Sequence, residues 1–197
     1  MNQRIGRAER RSNETSVKVE INLEGQGLAR IDTGIGFFDH MLTILAGHSG
    51  FDLLVECRGD LNVDGHHTVE DVGIVLGRAF AQALGDKSGI FRYGTSFVPM
   101  DESLAMVSLD ISGRPYLHYE MPPLAPMVGI FDTQLAEEFF RAFSNQCGVT
   151  LHVRVLYGKN AHHMLEASFK AFARALRQAV ALEKNADKVP STKGIID

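Results

Sequence analysis

The chain contains no tryptophan and only two cysteines, Cys57 and Cys147. Two thiols are too few for a disulfide framework and their separation fits no zinc pattern. A reducing compartment is therefore expected, with both residues acting as small apolar side chains. Long apolar runs are missing as well. Nothing approaches the roughly 20 apolar residues that span a bilayer, and Met1-Asn-Gln-Arg-Ile-Gly-Arg lacks the apolar segment of a signal peptide. The expectation is a soluble cytoplasmic protein. No Lys/Arg run exceeds Arg10-Arg11, and 20 Lys+Arg against 24 Asp+Glu leave a net charge of -4. Neither nucleic acid nor an anionic membrane is the expected partner. What remains is an ordinary globular composition: 197 residues, 45% apolar and 22% charged. A disordered tail and a collagen-like repeat are excluded. A chain of this size buries roughly 70% of its extended surface, enough for one good core or two small fused ones.

Several catalytic signatures are also absent. There is no HExxH pair, no P-loop and no Gly-x-Ser-x-Gly elbow, and neither cysteine sits in a nucleophile motif. Gly34-Ile-Gly36 is too short for a dinucleotide fingerprint and reads as a tight turn into a helix.

The chain repeats itself. Glu14 to Gly25 matches Glu102 to Gly113 at a constant offset of 88. Both segments alternate, with Val17, Val19, Ile21 and Leu23 answered by Ala105, Val107, Leu109 and Ile111. That is the period of a half-buried strand. Each is followed by a helical pattern over 37–49 or 131–146 that stops at Gly50 or Gly148, as helices often do. Strand-like runs Phe51 to Cys57 and Val149 to Val155 come next. Then His66-His67-Thr-Val-Glu70 and His162-His163-Met-Leu-Glu166 each open a second long helix. The expected fold is α+β: two duplicated strand-strand-helix-strand-helix halves, residues 1–90 and 91–197, with helices on one face of each sheet. The second half carries a ten-residue insertion between Gly113 and Glu138, with Pro122, Pro123 and Pro126, which reads as a loop or irregular edge.

The two His-His-x-x-Glu clusters carry the chemistry. Positions i and i+4 share a helix face, so His66 points with Glu70 and His162 with Glu166. His67 and His163 point about 100° away. A single cluster is weak evidence, because paired histidines at a helix start are often solvated surface. Two copies at equivalent repeat positions point to a pair of metals. The repeat adds one more ligand to each: His40 lies ten residues before Gly50, and Glu138 ten before Gly148. The expected sets are His40, His67, His162, Glu166 and Glu138, His66, His163, Glu70. Imidazole and carboxylate donors suit Mn(II), Fe(II) or Zn(II) better than Ca(II). Asp39 and Asp71 are candidate acceptors that would fix the histidine tautomers. His118 and His152 fall in strand-like runs and read as structural. His48, near a helix end, either caps carbonyls or lines the site.

Together these stretches resemble the imidazoleglycerol-phosphate dehydratase family. The matching segments are Arg11-Ser-Asn-Glu14-Thr, Gly34-Ile-Gly-Phe-Phe-Asp-His40-Met, Asp64-Gly-His-His-Thr-Val-Glu-Asp71, Gly158-Lys-Asn-Ala-His-His-Met-Leu-Glu166 and Pro190-Ser-Thr-Lys-Gly194. The resemblance runs over nearly the whole chain. It implies a lyase of histidine biosynthesis that dehydrates imidazole glycerol phosphate to imidazole acetol phosphate. It further implies two Mn(II) per active site, other divalent metals being possible, and a 24-subunit assembly of trimers with active sites between subunits. It puts Glu14 beside the reacting carbons, with His48 as a further catalytic candidate. It puts Arg92, Arg114, Lys170, Ser191 and Lys193 on the substrate phosphate, so that the C-terminal tail of the second half is phosphate-binding. Forked Arg donors and Lys point charges suit that anion. Many family members have histidine where this chain has Glu138.

The chemistry expected from this cast starts at a carbon that no carbonyl acidifies. A metal-held imidazole, stabilised as imidazolate, can feed electrons into loss of the neighbouring hydroxyl while a carboxylate removes the carbon-bound proton. Two other readings use the same residues: a dimetal hydrolase of a small phosphorylated metabolite, and a non-enzymatic protein that needs metal only for assembly.

Overall fold

The computed structural model describes residues 3–183 and 188–196. The first half runs β1 (Ile5–Arg11), β2 (Thr15–Asn22), β3 (Ala29–Asp32), α1 (Gly36–Ser49), β4 (Asp52–Gly59) and α2 (His66–Leu84). The second runs β5 (Tyr93–Met100), β6 (Ser103–Asp110), β7 (Tyr116–Glu120), β8 (Met127–Val128), β9 (Phe131–Asp132), α3 (Leu135–Cys147), β10 (Thr150–Tyr157) and α4 (Ala161–Val180). The sheet orders are β1-β2-β4-β3 and β5-β6-β10-β7. In both, the last strand joins in parallel while the others pair antiparallel. The register repeats too: Ile5 faces Asn22 and Tyr93 faces Asp110, the same pairing moved on by 88.

The expected duplicated α+β halves are present, and each has one strand more than the periodicity shows. β3 and β7 are short and largely exposed, with no run of buried alternate residues, so they carry too little apolar signal to read in advance. The insertion folds into the small β8–β9 hairpin. The alternation in the second strand of each half is real: Val17, Val19 and Ile21 are buried, as are Ala105, Val107 and Leu109. Gly50 and Gly148 end α1 and α3 in the left-handed region, with φ of 77° and 67°. Only glycine adopts that region at little cost.

Four helices fill the space between the two sheets. Helix α2 lies on β1 and β2, and α4 lies on β5 and β6. The halves are crossed, because α1 packs on α4 and α3 packs on α2. Phenylalanines from both halves close the core: Phe80 meets Phe143 at 5.3 Å between ring centroids, and Phe139 meets Phe169 at 5.3 Å. Both cysteines are buried and free. Burial pushes the Cys57 thiol up to about 11, so it behaves as a small apolar side chain.

Two glycines set the spacing of sheet and helix. A methyl group on Gly6 would lie 1.8 Å from the Ala79 carbonyl oxygen, and one on Gly94 would lie 1.9 Å from that of Ala175. Both glycines and both alanines are repeat equivalents. Backbone meets backbone here, so no flexible side chain can yield. Gly6→Ala and Gly94→Ala should each lower the unfolding free energy by about 3 kcal/mol, read from urea denaturation. The two losses should match if the halves share one packing scheme.

Candidate active site

Helices α2 and α4 begin at the histidine pairs, and side chains just ahead of each take up the first free N–H groups. Asn160 accepts hydrogen bonds from the backbone N–H groups of His162 (2.9 Å) and His163 (3.3 Å). Asp64 accepts one from His66 N–H at 2.8 Å. Such caps satisfy donors that a helix start leaves unpaired. Where α1 crosses α4, His40 comes against the first turns of α4. His40, His162 and Glu166 then offer three donor atoms within 4.8 Å of one another, the one such group among the described residues. His162 Nε2 lies 3.0 Å and His40 Nε2 3.4 Å from Glu166 Oε2. Lys170 donates to the other oxygen, Oε1, at 2.7 Å. Burial alone would raise the Glu166 carboxyl, but Lys170 and then His162 hold it below its ordinary value. Phe37 meets the His162 ring edge-on at 5.1 Å. A buried, ionised carboxylate oxygen facing two imidazoles that reach solvent is a donor set that fits a divalent transition metal.

The repeat counterpart is less assembled. Helix α3 against α2 brings Glu138 to the same cavity as His66, about 520 Å³ and also lined by Asp64 and Asp132. The insertion lies over it through Met127 and Ile130. The Glu138 carboxylate lies 3.9 Å from Arg141 Nε rather than among imidazoles. Glu70 is half-buried on α2 and joins no three-donor group.

His67 and His163 do not join the sets expected for them within this chain. They lie on another side of their helices, each between two carboxylates. Asp60 Oδ2 is 3.0 Å from His67 Nδ1, and Glu14 Oε1 is 3.8 Å from His67 Nε2. Glu102 Oε2 is 2.7 Å from His163 Nδ1, and Asp101 Oδ2 is 3.6 Å from His163 Nε2. Those neighbours raise both imidazoles above their ordinary values, chiefly through the hydrogen bonds that Asp60 and Glu102 accept from them. The Glu102 carboxyl falls far below the usual range, first through His163 and then through the backbone N–H of Asn160. Glu14 is half-exposed, and among the described residues no hydrogen bond reaches its carboxylate.

Asp39 and Asp71 are not the histidine-orienting acceptors expected from sequence. Asp39 faces back into its own turn and accepts from the Thr33 N–H (2.9 Å) and hydroxyl (2.5 Å). Asp71 points into the sheet, where it accepts from the Thr15 hydroxyl and from Arg10 Nε at 2.8 Å. It therefore ties the turn that carries Glu14 to α2. Asp60 and Glu102 hold the Nδ1 atoms instead. For Glu102 a signal existed, since the repeat pairs it with Glu14. Among the described residues His48 caps no carbonyl. Burial and then the charges of Lys170 and Arg174 push its imidazole down. His118 and His152 lie side by side on the outer face of the second sheet, with ring centroids 5.5 Å apart.

The candidate phosphate ligands divide. Arg92 grips Asp110 through Nε (2.7 Å) and Nη2 (3.1 Å), and donates from Nη1 to the Pro190 carbonyl at 2.9 Å. This brings the tail, with Ser191 and Lys193, to Arg92. Arg114 lies just beyond β6 and donates to the Ser112 carbonyl at 3.2 Å. Lys170 is elsewhere, on Glu166. The Arg92 backbone N–H bonds Ala179 at the far end of α4. At 1.5 Å per residue that end lies about 20 Å from Glu166. A groove of about 700 Å³ lies on the outer face of the first sheet and is lined by none of the histidines.

The family model described as imidazoleglycerol-phosphate dehydratase matches residues 33–176. Proteins of that name from Clostridium botulinum (strain Langeland, type F) and Caldanaerobacter subterraneus subsp. tengcongensis are 58% and 57% identical over 196 and 193 residues. The matches cover 100% and 98% of this chain and 100% of each relative. The crystal structure of imidazoleglycerol-phosphate dehydratase from Staphylococcus aureus subsp. aureus N315 has a TM-score of 0.83 at 43% identity, over 91% of this chain and 99% of that one. The crystal structure of IGPD from Pyrococcus furiosus in complex with (S)-C348 has a TM-score of 0.81 at 35% identity, over 95% and 99%. Likeness of this extent, in sequence and in fold, makes the chain a member of the imidazoleglycerol-phosphate dehydratase family, the hydro-lyases of histidine biosynthesis.

Proposed function

We propose that this chain dehydrates imidazole glycerol phosphate to imidazole acetol phosphate in histidine biosynthesis. The observation that carries the reading, beside the family, is the convergence of His40, His162 and Glu166 where the two halves cross. Two divalent cations, Mn(II) or a related metal, would supply the charge that holds the substrate imidazole deprotonated. His40, His162 and Glu166 would hold one, with His67 from elsewhere in the assembly; Glu138, His66, Glu70 and His163 would hold the other.

The remaining steps belong to this chain's own groups. The product carries its ketone on the middle carbon of the glycerol chain, so the proton to be removed sits on that carbon, next to the one attached to imidazole. Among the described residues no hydrogen bond reaches the Glu14 carboxylate, which is open to solvent, so it can take that proton. The hydroxyl on the carbon attached to imidazole leaves as water once protonated, and the enol, which keeps the hydroxyl of the middle carbon, ketonises. His48, whose imidazole is pushed down by burial and then by Lys170, is the second candidate proton carrier. Arg92 uses three of its five N–H donors within the chain, leaving two for phosphate oxygens. Arg114, Lys170, Ser191 and Lys193 complete the proposed phosphate set.

The family resemblance implies a 24-subunit assembly of trimers, and the layout of this chain supports active sites shared between subunits. One imidazole glycerol phosphate is too short to touch Glu166 and Arg92 of the same chain, which stand about 20 Å apart along α4. No helix among the described residues is long and apolar enough to cross a membrane.

Purified protein incubated with imidazole glycerol phosphate and Mn(II) should form the ketone without releasing inorganic phosphate, and chelation should abolish turnover. Phosphate release without ketone would favour a dimetal hydrolase. Glu14→Gln should retain Mn(II) and substrate while kcat falls by roughly 10²–10⁴-fold; full activity would remove Glu14 from the mechanism. Subunit sharing has its own readout. Glu14→Gln and Glu166→Gln chains, each inactive alone, should regain activity when unfolded, mixed and reassembled, because roughly a quarter of shared sites receive two intact faces. Sites confined to one chain would stay silent.

A further inference from the structure

The duplication makes Glu14 and Glu102 equivalent, yet the two do different things. Both oxygens of Glu102 are occupied. Oε1 accepts from the backbone N–H groups of Lys159 (3.1 Å) and Asn160 (2.8 Å), and Oε2 lies 2.7 Å from His163 Nδ1. Glu14 does not reach Nδ1 of its own histidine. It stands on the Nε2 side of His67, at 3.8 Å. The Nδ1 of His67 is taken by Asp60, whose two oxygens lie 3.2 and 3.0 Å away.

Asp60 comes from a loop that the two halves do not share. Gly59 and Gly158 are equivalent landmarks. A methyl group on Gly59 would strike Thr68 at 2.1 Å, and one on Gly158 would strike Met164 at 2.4 Å. Thr68 and Met164 each lie two residues after the first histidine of the pair. Six residues (60–65) separate Gly59 from His66, whereas three (159–161) separate Gly158 from His162. The longer loop carries its own carboxylate to the histidine. The shorter one has none, and its backbone N–H groups bind Glu102 instead.

An ionised carboxylate only accepts hydrogen bonds, so the nitrogen facing it carries the proton. In a neutral imidazole this leaves the lone pair on Nε2, pointing away from the carboxylate. We infer that Asp60 and Glu102 are equivalent positioning residues, fixing His67 and His163 to present Nε2, and that the extra loop of the first half is what frees Glu14 for proton transfer. The inference rests on His67 and His163 being metal ligands, as proposed above.

The test is Mn(II) binding by the intact protein, followed by equilibrium dialysis alongside turnover. Folding is checked by circular dichroism. Asp60→Ala and Glu102→Ala should each weaken Mn(II) binding by about 10–100-fold. Asp60→Asn keeps an acceptor for Nδ1 and should recover most of that loss. Glu14→Gln should leave Mn(II) binding within about twofold of the parent, because its carboxylate orients no ligand. His67→Ala is the reference. If it weakens Mn(II) binding and Asp60→Ala does not, the positioning role is overturned while the metal reading stands. If His67→Ala binds Mn(II) as the parent does, the ligand assignment fails and the inference falls with it. If Glu14→Gln loses Mn(II) as severely as Asp60→Ala, the division between the two carboxylates is wrong.

Discussion

The crossed packing of the helices governs this molecule. Helix α1 leans on α4 of the other half and α3 leans on α2, so both of these close helix pairings cross between halves, while Phe139 and Phe169 join α3 to α4 within the second half. His40 and Glu166 are 126 residues apart in sequence and meet only because of that crossing. The glycine contacts at Gly6 and Gly94 hold α2 and α4 close against their sheets. Gly73 and Gly77 do the same for α2 and α3: a methyl group on either would sit within 2.9 Å of α3 atoms. With no side chain between the backbones, the helix starts cannot drift, and their histidines are held by the scaffold rather than by a loop.

Duplication supplies two copies of each functional element, and the structure shows how little is needed to give them separate uses. Three extra residues after β4 bring Asp60 to His67 Nδ1, and Glu14 stands on the Nε2 side of that ring instead. Ten extra residues before α3 form the hairpin over the cavity that His66 and Glu138 line. The surfaces diverge as well. The outer face of the first sheet carries a lattice of charges, among them the pairs Arg7–Glu20 and Arg58–Asp32. The same face of the second sheet presents Tyr93, Phe97 and Tyr116, all more than half exposed.

A good part of this was legible in the residues. The offset of 88 fixes the register of both strand pairs, because a period of two leaves no freedom to slip without turning Val17, Val19 and Ile21 outward. Gly50 and Gly148 mark helix ends through their backbone freedom. The pairs His66/Glu70 and His162/Glu166 follow from the helical turn. Other features left no local trace. β3 and β7 are too short and too exposed to show alternation. Asp60 lies in a loop without a repeat counterpart, so nothing singled it out. Asp71, one residue after Glu70, looked like a histidine partner, but the helix aims it at Thr15 and Arg10.

Sequence alone determined the elements, the duplication and the residue types of the site, since those depend on short-range periodicity and on the chemistry of single side chains. Tertiary structure decided which of those residues share a space. Helix crossing put His40 with His162 and Glu166, and the loops within each half brought Asp60 to His67 and Glu102 to His163. The length of α4 set the Arg92 corner about 20 Å from Glu166, a separation no local pattern encodes. It arises because a rigid helix, spanning the layer between two sheets, fixes the distance between whatever its two ends carry.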